Sequence, residues 1–310
     1  MVRLLCLMLA VSQMACATAS THASSRAPQA DPLPPRRTCV VLSVGGTAGL
    51  AHLGALDELR RQGVIADCVV GNSMGALVGS LYATDPGANS RLRYLKLLKA
   101  YVKQTKDEAL NRGATGAALG IGTGLLLGGP LGWLALLGGA LGASSTEEVS
   151  HERLQQVLDA FYHHANVEQV PIPFVTFHQK RHGQGLRLVK VSQGNLAEAV
   201  MGSTSNPFIF PDIDPRDAPR LDPGTDRVSA VPVQDACDAF PDSRLIVINV
   251  TGRSAFYARD ISCEVLELRV ELEYEPSADA LAGYGEEFEI VYQAGVEAVE
   301  AGAALLEPAR

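Results

Sequence analysis

The chain has 310 residues, 47% apolar and 19% charged, with 26 basic against 34 acidic side chains and a net charge of −8. That composition builds a well-buried core, as one large domain or two small ones. It argues against nucleic acid as a partner, because an acidic chain gains no counterion release from phosphates, and any global membrane affinity must come from apolar contact.

Residues 1–19 have the pattern of a signal peptide. Arg3 is the positive start, "LLCLMLAV" (4–11) the apolar core and "ATA" (17–19) the small-residue cleavage site. The apolar core is too short to span a bilayer. This predicts an exported protein, either periplasmic or outer-membrane-associated or secreted. The alternative is an apolar N-terminus on a cytosolic protein. "QMAC" (13–16) offers Cys16 as a lipid attachment site, a minor variant of the same reading. Residues 20–37 form a Pro/Ser-rich linker. Export leaves Cys39, Cys68, Cys237 and Cys263, an even number in an oxidising compartment. They are either paired, in one of three connectivities, or buried thiols, and their spacing is not that of a zinc site.

The β-branched run 38–44 is a buried strand, and 50–63 a helix by apolar spacing, with Gly63 suited to its end. A second strand (66–71) and a second helix (74–84) complete a βαβα unit, which implies a parallel sheet covered on both faces. Residues 172–179 and 186–194 are a strand pair joined by a basic turn. Strands at 244–252 and 263–272 and a closing helix at 284–307 follow. The expected fold is α/β, a mostly parallel central sheet flanked by helices, in a single domain over 38–310. Within it, 113–145 is an apolar, glycine-rich insertion without charge. "GGP" (128–130) breaks it into two arms, each shorter than a bilayer span. It is either a lid packed on the sheet or a hairpin in contact with lipid or the membrane interface.

Chemistry concentrates in two glycine-rich turns. Gly71-Asn72-Ser73-Met74-Gly75 is a G-x-S-x-G between a predicted strand and a predicted helix. A serine on such a turn is forced into a strained backbone that exposes its hydroxyl, and its neighbours must be tiny. The following helix aims its positive end at the serine, which favours an alkoxide. The earlier turn, "VVLSVGGTAGLAHLG" (40–54), emerges at the same sheet edge if the two strands are neighbours. The Gly45 and Gly46 amides are then candidates for an oxyanion hole. A phosphate loop is the rival, but neither G-x-x-x-x-G-K-[ST] nor G-x-G-x-x-G is present.

The base for Ser73 has two solutions. None of the seven histidines lies beyond His182, so a Ser–acid–His order would have to use His178 or His182. His52, on the first helix, reads as a packed or capping histidine. The other solution is a carboxylate, and "RLDPGTDRVSAVPV" (220–233) supplies Asp222 and its competitor Asp226.

With these residues in place, the chain resembles the patatin-like phospholipases, lipid acyl hydrolases with a Ser–Asp dyad. "LSVGGTAGLAHLGALDELRRQG" is similar to their glycine-rich oxyanion block and "GNSMGALVGSLYA" to their elbow and helix. "IPFVTF", "GSTSNPFIFPD" and "AVPVQDA" follow in the family's order, so that most of 38–250 is covered. The resemblance implies Ser73 as nucleophile, an aspartate as base, acyl esters of glycerolipids as substrates, and no metal or cofactor. Two positions depart from the pattern: Val44 and Ala48 stand where the family has a third glycine and an arginine. The acid turn, Asp-Gly-Gly or Asp-Gly-Ala in the family, is here Asp222-Pro223-Gly224. It keeps the aspartate and the second small residue, which favours Asp222 over Asp226. The reading from another class is a catalytically impaired descendant that binds lipid or anchors at a membrane.

Overall fold

The computed structural model describes residues 36–111, 151–183, 185–207, 209–210, 213–225 and 229–306. They belong to one compact unit, Arg36–Arg310. The expected signal peptide, Cys16, the linker up to residue 35, the 113–145 insertion and Asp226 lie outside the described residues.

The first strand, β1 (Thr38–Leu42), lies between β2 (Cys68–Gly71) and β5 (Arg244–Asn249), parallel to both. β3 (Phe174–His182) runs parallel to β2, and β4 (Gly185–Val191) folds back antiparallel on β3. β6 (Glu264–Arg269) adds a parallel edge beside β5, giving the order β4-β3-β2-β1-β5-β6. This is the mostly parallel sheet expected from the βαβα pattern.

Both faces of the central strands are buried, which is why β1, β2 and β5 read as unbroken apolar runs. Val40, Leu42, Val69, Ile246 and Ile248 point into the larger core. There they meet α1 (Ala51–Arg61), α2 (Met74–Thr84), α3 (Ser90–Asn111), α4 (His151–Phe161) and α5 (Leu196–Thr204). Val41, Val70, Leu245 and Val247 face the smaller core under α6 (Val233–Ala239). The closing helix, α7 (Glu286–Ala301), packs on α1. Among the described residues no helix is long and apolar enough to cross a membrane.

Local details follow from the chain's chemistry. β1 stops at Leu42, two residues before the predicted end: Ser43 N–H still makes the ladder bond to Ile248 O, but Val44 N–H turns out of the sheet to Ala230 O. α1 starts after a 3-10 turn, Gly46–Leu50. It ends in a Schellman arrangement, with Gly63 at φ 78 and Val64 N–H on Leu59 O, the left-handed position a glycine takes without strain. The four cysteines form two disulfides. Register places Cys39 opposite Cys68, and Cys237 of α6 joins Cys263 at the entry to β6.

Candidate active site

Ser73 stands between β2 and α2 with φ 54 and ψ −125, outside the regions an L-residue occupies cheaply. Such a conformation costs on the order of 1–3 kcal/mol and persists only where its surroundings over-determine it. The turn is too tight for side chains on either side. A Cβ on Gly71 would lie 2.3 Å from Gly75 O, and one on Gly75 would lie 2.5 Å from Ser43 O and 2.6 Å from Leu42 O. Asn72 is fully buried and ties the turn to three partners. Its N–H donates to Leu42 O, its Nδ2 donates to Ser229 O, and its Oδ1 accepts from Phe177 N–H.

Asp222 reaches this turn from the loop that follows α5. Leu221 bridges to Gln179 of β3 by backbone bonds in both directions, which sets the depth at which the next residue enters. Ser73 Oγ donates to Asp222 Oδ2 at 2.5 Å. The other oxygen, Oδ1, accepts from Gly224 N–H at 2.7 Å, closing an Asx turn that holds the carboxylate plane. Burial pushes the Asp222 carboxyl up to about 6, against the opposing bonds from Ser73 and Gly224.

The last turn of α5 contacts both residues. Ser203 Oγ accepts the backbone N–H of Ser73 at 3.0 Å, and Ser205 O accepts the backbone N–H of Asp222 at 2.9 Å. Ser205 Oγ in turn donates to Met201 O, and His151 Nε2 sits 2.9 Å from that same hydroxyl.

The two predicted oxyanion glycines occupy different surroundings. Gly46, at φ 50, lines the same cavity as Ser73, and a Cβ there would meet nothing within 4 Å. Gly45 lies against the protein interior, where a Cβ would come within 2.3 Å of Val250 Cγ2. Val44 packs toward the acid turn, its Cγ1 3.4 Å from where a Cβ on Gly224 would be. Ala48 packs on the larger core.

The cavity beside Ser73 measures about 400 Å³. Its wall is apolar, with Leu77, Leu97, Tyr101, Leu158, Met201 and Phe210 prominent, and no charged side chain is among the described lining residues.

The histidines are placed elsewhere. His52 is fully buried, its Nε2–H donates to Ser43 O at 2.9 Å, and burial lowers it to about 4, so it is a neutral packing residue. His178 faces Gly202 and Arg220. Burial first, then the Arg220 and Lys180 charges, lowers it to about 4. His182 is at the exposed end of β3. The hydroxyl of Ser73 is bonded to Asp222 and to none of these.

The family model for patatin-like phospholipase matches residues 40–236, a span that holds the turn, the acid loop and most of the sheet. The chain belongs to the patatin-like phospholipase family. Among proteins with similar sequence, it is 49% identical over 47 residues to the patatin-like phospholipase domain-containing protein ZK370.4 of Caenorhabditis elegans. It is 44% identical over 46 residues to the lysophospholipase NTE1 of Saccharomyces cerevisiae. Each alignment covers 15% of this chain, and only 4% and 3% of those much longer proteins. Among solved structures, ExoU in its complex with SpcU from Pseudomonas aeruginosa aligns at TM-score 0.37 and 16% identity, over 86% of this chain and 52% of that one. Within this patatin-like frame, Val44 and Ala48 are accommodated by apolar packing, with the glycine-rich turn still formed.

Ser203 and Ser205 lie in the "GSTSNPFIFPD" block of the sequence, but their contacts with Ser73 and Asp222 are not legible there. Ser203 is 130 residues from the serine it contacts.

Proposed function

We propose that this chain is a serine hydrolase of lipid acyl esters, with Ser73 as nucleophile and Asp222 as general base. The observation that carries the reading is the buried 2.5 Å contact between the two, opening on an apolar cavity. Asp222 takes the hydroxyl proton as Ser73 Oγ attacks the ester carbonyl carbon. The Gly45 and Gly46 amides of the glycine-rich turn hold the oxyanion, a role supported by Gly46 lining the same cavity as Ser73. Collapse of the tetrahedral intermediate breaks the ester C–O bond, and Asp222 returns its proton to the leaving alcohol. A water then gives a proton to Asp222 and attacks the acyl-enzyme. When that intermediate collapses, the proton goes back to Ser73 Oγ and the fatty acid is released.

The uncharged cavity fits an acyl chain, since burying methylenes there is favourable by about 0.8 kcal/mol each and no charge is desolvated. A phospholipid or other glycerolipid supplies such a chain. Two disulfides support an oxidising, hence exported, setting for the single domain over 38–310. The uncharged 113–145 stretch is the proposed contact with the lipid phase.

The test is hydrolysis of short acyl esters and of a phospholipid panel by purified protein. Ser73→Ala is expected to remove turnover of both, and unchanged turnover in that variant contradicts the reading.

A further inference from the structure

Beyond Gln179, the β3–β4 hairpin has no part in the chemistry above, yet its charge is unlike that of the rest of the chain. From Gln169 to Ala197 there are four Lys and Arg residues and no carboxylate, in a chain of net charge −8. Three of these cations, Lys180, Arg187 and Lys190, are exposed and make no ion pair among the described residues. The fourth, Arg181, is held by Pro215 O. The loop packed beside it carries Asp214, already paired with Arg216, together with Asp217. Leu186, across from Arg181 in the register, is 47% exposed at the tip.

The direction of the hairpin matters as much as its charge. β2 ends at Gly71, opposite Thr176, and Ser73 follows immediately. β3 runs parallel to β2 and continues six residues beyond Thr176 to His182, so the hairpin extends past the end of β2 by about 20 Å at 3.3 Å per residue. Gln179 is at the level of Leu221, next to Asp222; Lys180, Arg187 and Leu186 lie beyond it, past the sheet edge that carries the reactive serine, whereas Lys190 lies opposite Phe177, nearer the sheet.

The geometry points to this hairpin as a docking arm for an anionic lipid surface, with Lys180 and Arg187, opposite each other in the register, on headgroup phosphates, Leu186 entering the interface, and Lys190 adding charge from nearer the sheet. This rests on the reading of Ser73 as acting on lipid, and it gives the enzyme a way to face its substrate layer with the serine edge. Lys and Arg near an anionic leaflet each strengthen binding by about fivefold, and the attraction falls off within a Debye length.

The test is co-sedimentation of the full chain carrying Ser73→Ala with vesicles of phosphatidylcholine alone or mixed with phosphatidylglycerol, at low and high salt. Phosphatidylglycerol is expected to tighten binding, salt to reverse that gain, and Lys180→Gln/Arg187→Gln/Lys190→Gln to weaken it on the order of 100-fold. With Ser73 intact, the triple variant is expected to keep wild-type turnover of a soluble short-chain ester, which also shows that it folds. Equal binding to both vesicle types, or wild-type binding to phosphatidylglycerol by the triple variant, overturns the proposal. So does charge-dependent binding of a duplex oligonucleotide without any phosphatidylglycerol preference. Because binding is read on Ser73→Ala, a failure of ester turnover in the wild type bears on the catalytic reading alone.

Discussion

Ser73 and Asp222, 149 residues apart in the chain, meet through a 2.5 Å hydrogen bond in which the serine hydroxyl donates to Oδ2. Both side chains are buried, and the aspartate is pushed up to about 6 by that burial. A base with this pKa is ionised at neutral pH and still strong enough to accept a proton in the transition state.

The pH dependence follows directly. Below about 6 the carboxyl of Asp222 is protonated and cannot take the serine proton. On soluble esters, kcat/KM is therefore expected to rise about tenfold per pH unit up to that point and to level off above it. Asp222→Asn keeps the shape, removes the base, and is expected to cost 10²–10⁴-fold in kcat. A profile without an inflection between pH 5 and 7 goes against the assignment.

The same substitution is expected to stabilise the fold. The folded-state pKa lies above its ordinary 3.8, so the native state holds the extra proton between that value and about 6. Stability from this group is thus fully present below pH 4 and is lost as pH rises through 6. Asp222→Asn, which cannot ionise, should be more stable than wild type at pH 7 by on the order of 1–3 kcal/mol. Denaturant titrations should show that difference vanish near pH 4.

Ser203 is expected to act as a positioning residue, because its Oγ accepts the backbone N–H of Ser73. Ser203→Ala leaves the buried Ser73 N–H without its acceptor, which costs about 1–3 kcal/mol and releases the strained turn. The expected result is a fall of roughly tenfold or more in kcat with KM little changed. Ser80→Ala, which removes another buried hydroxyl bonded to Tyr162, is expected to spare kcat. Equal effects in the two variants would reduce Ser203 to a packing residue.

The glycines separate fold from site. Gly75→Ala drives a Cβ to 2.5 Å from Ser43 O and 2.6 Å from Leu42 O at the end of β1 and should lower the yield of folded protein or the melting temperature sharply. Gly46→Ala has open space and only the strain of φ 50, about 1–2 kcal/mol, so circular dichroism should stay native. Its effect should appear in kcat.

Filling the cavity should shift chain-length preference. Leu77→Trp occupies space beside Ser73, so kcat/KM for long acyl esters is expected to fall at least tenfold, while that for butyrate esters stays within about twofold. A uniform loss across chain lengths would place the acyl group elsewhere.

Much of this arrangement was legible because it is written locally. β-branched runs marked β1, β2 and β5, and the G-x-S-x-G marked a strand-to-helix turn whose glycines do meet backbone at under 3 Å. The resemblance of Asp222-Pro223-Gly224 to the family's acid turn favoured Asp222 over Asp226, and Gly224 N–H does bond Asp222 Oδ1. What escaped is tertiary. No element was assigned to 90–111, although α3 spans it. Its N-terminal amides at Ser90 and Arg91 are received by Asp57 from α1, a cap that leaves no trace beside the helix it serves. The two serines at the end of α5 look like any polar helix terminus until the fold brings Ser73 and Asp222 to them. The Cys39–Cys68 pairing, too, became readable only once β1 and β2 were in register.

The most direct measurement is the rate at which a fluorophosphonate labels the protein, with the adduct located by peptide mass spectrometry. Labelling is expected on Ser73 alone, at a rate that rises with pH through about 6, and at least 100-fold slower in Asp222→Asn. An adduct on another residue, or undiminished labelling of Asp222→Asn, would contradict the Ser73–Asp222 dyad.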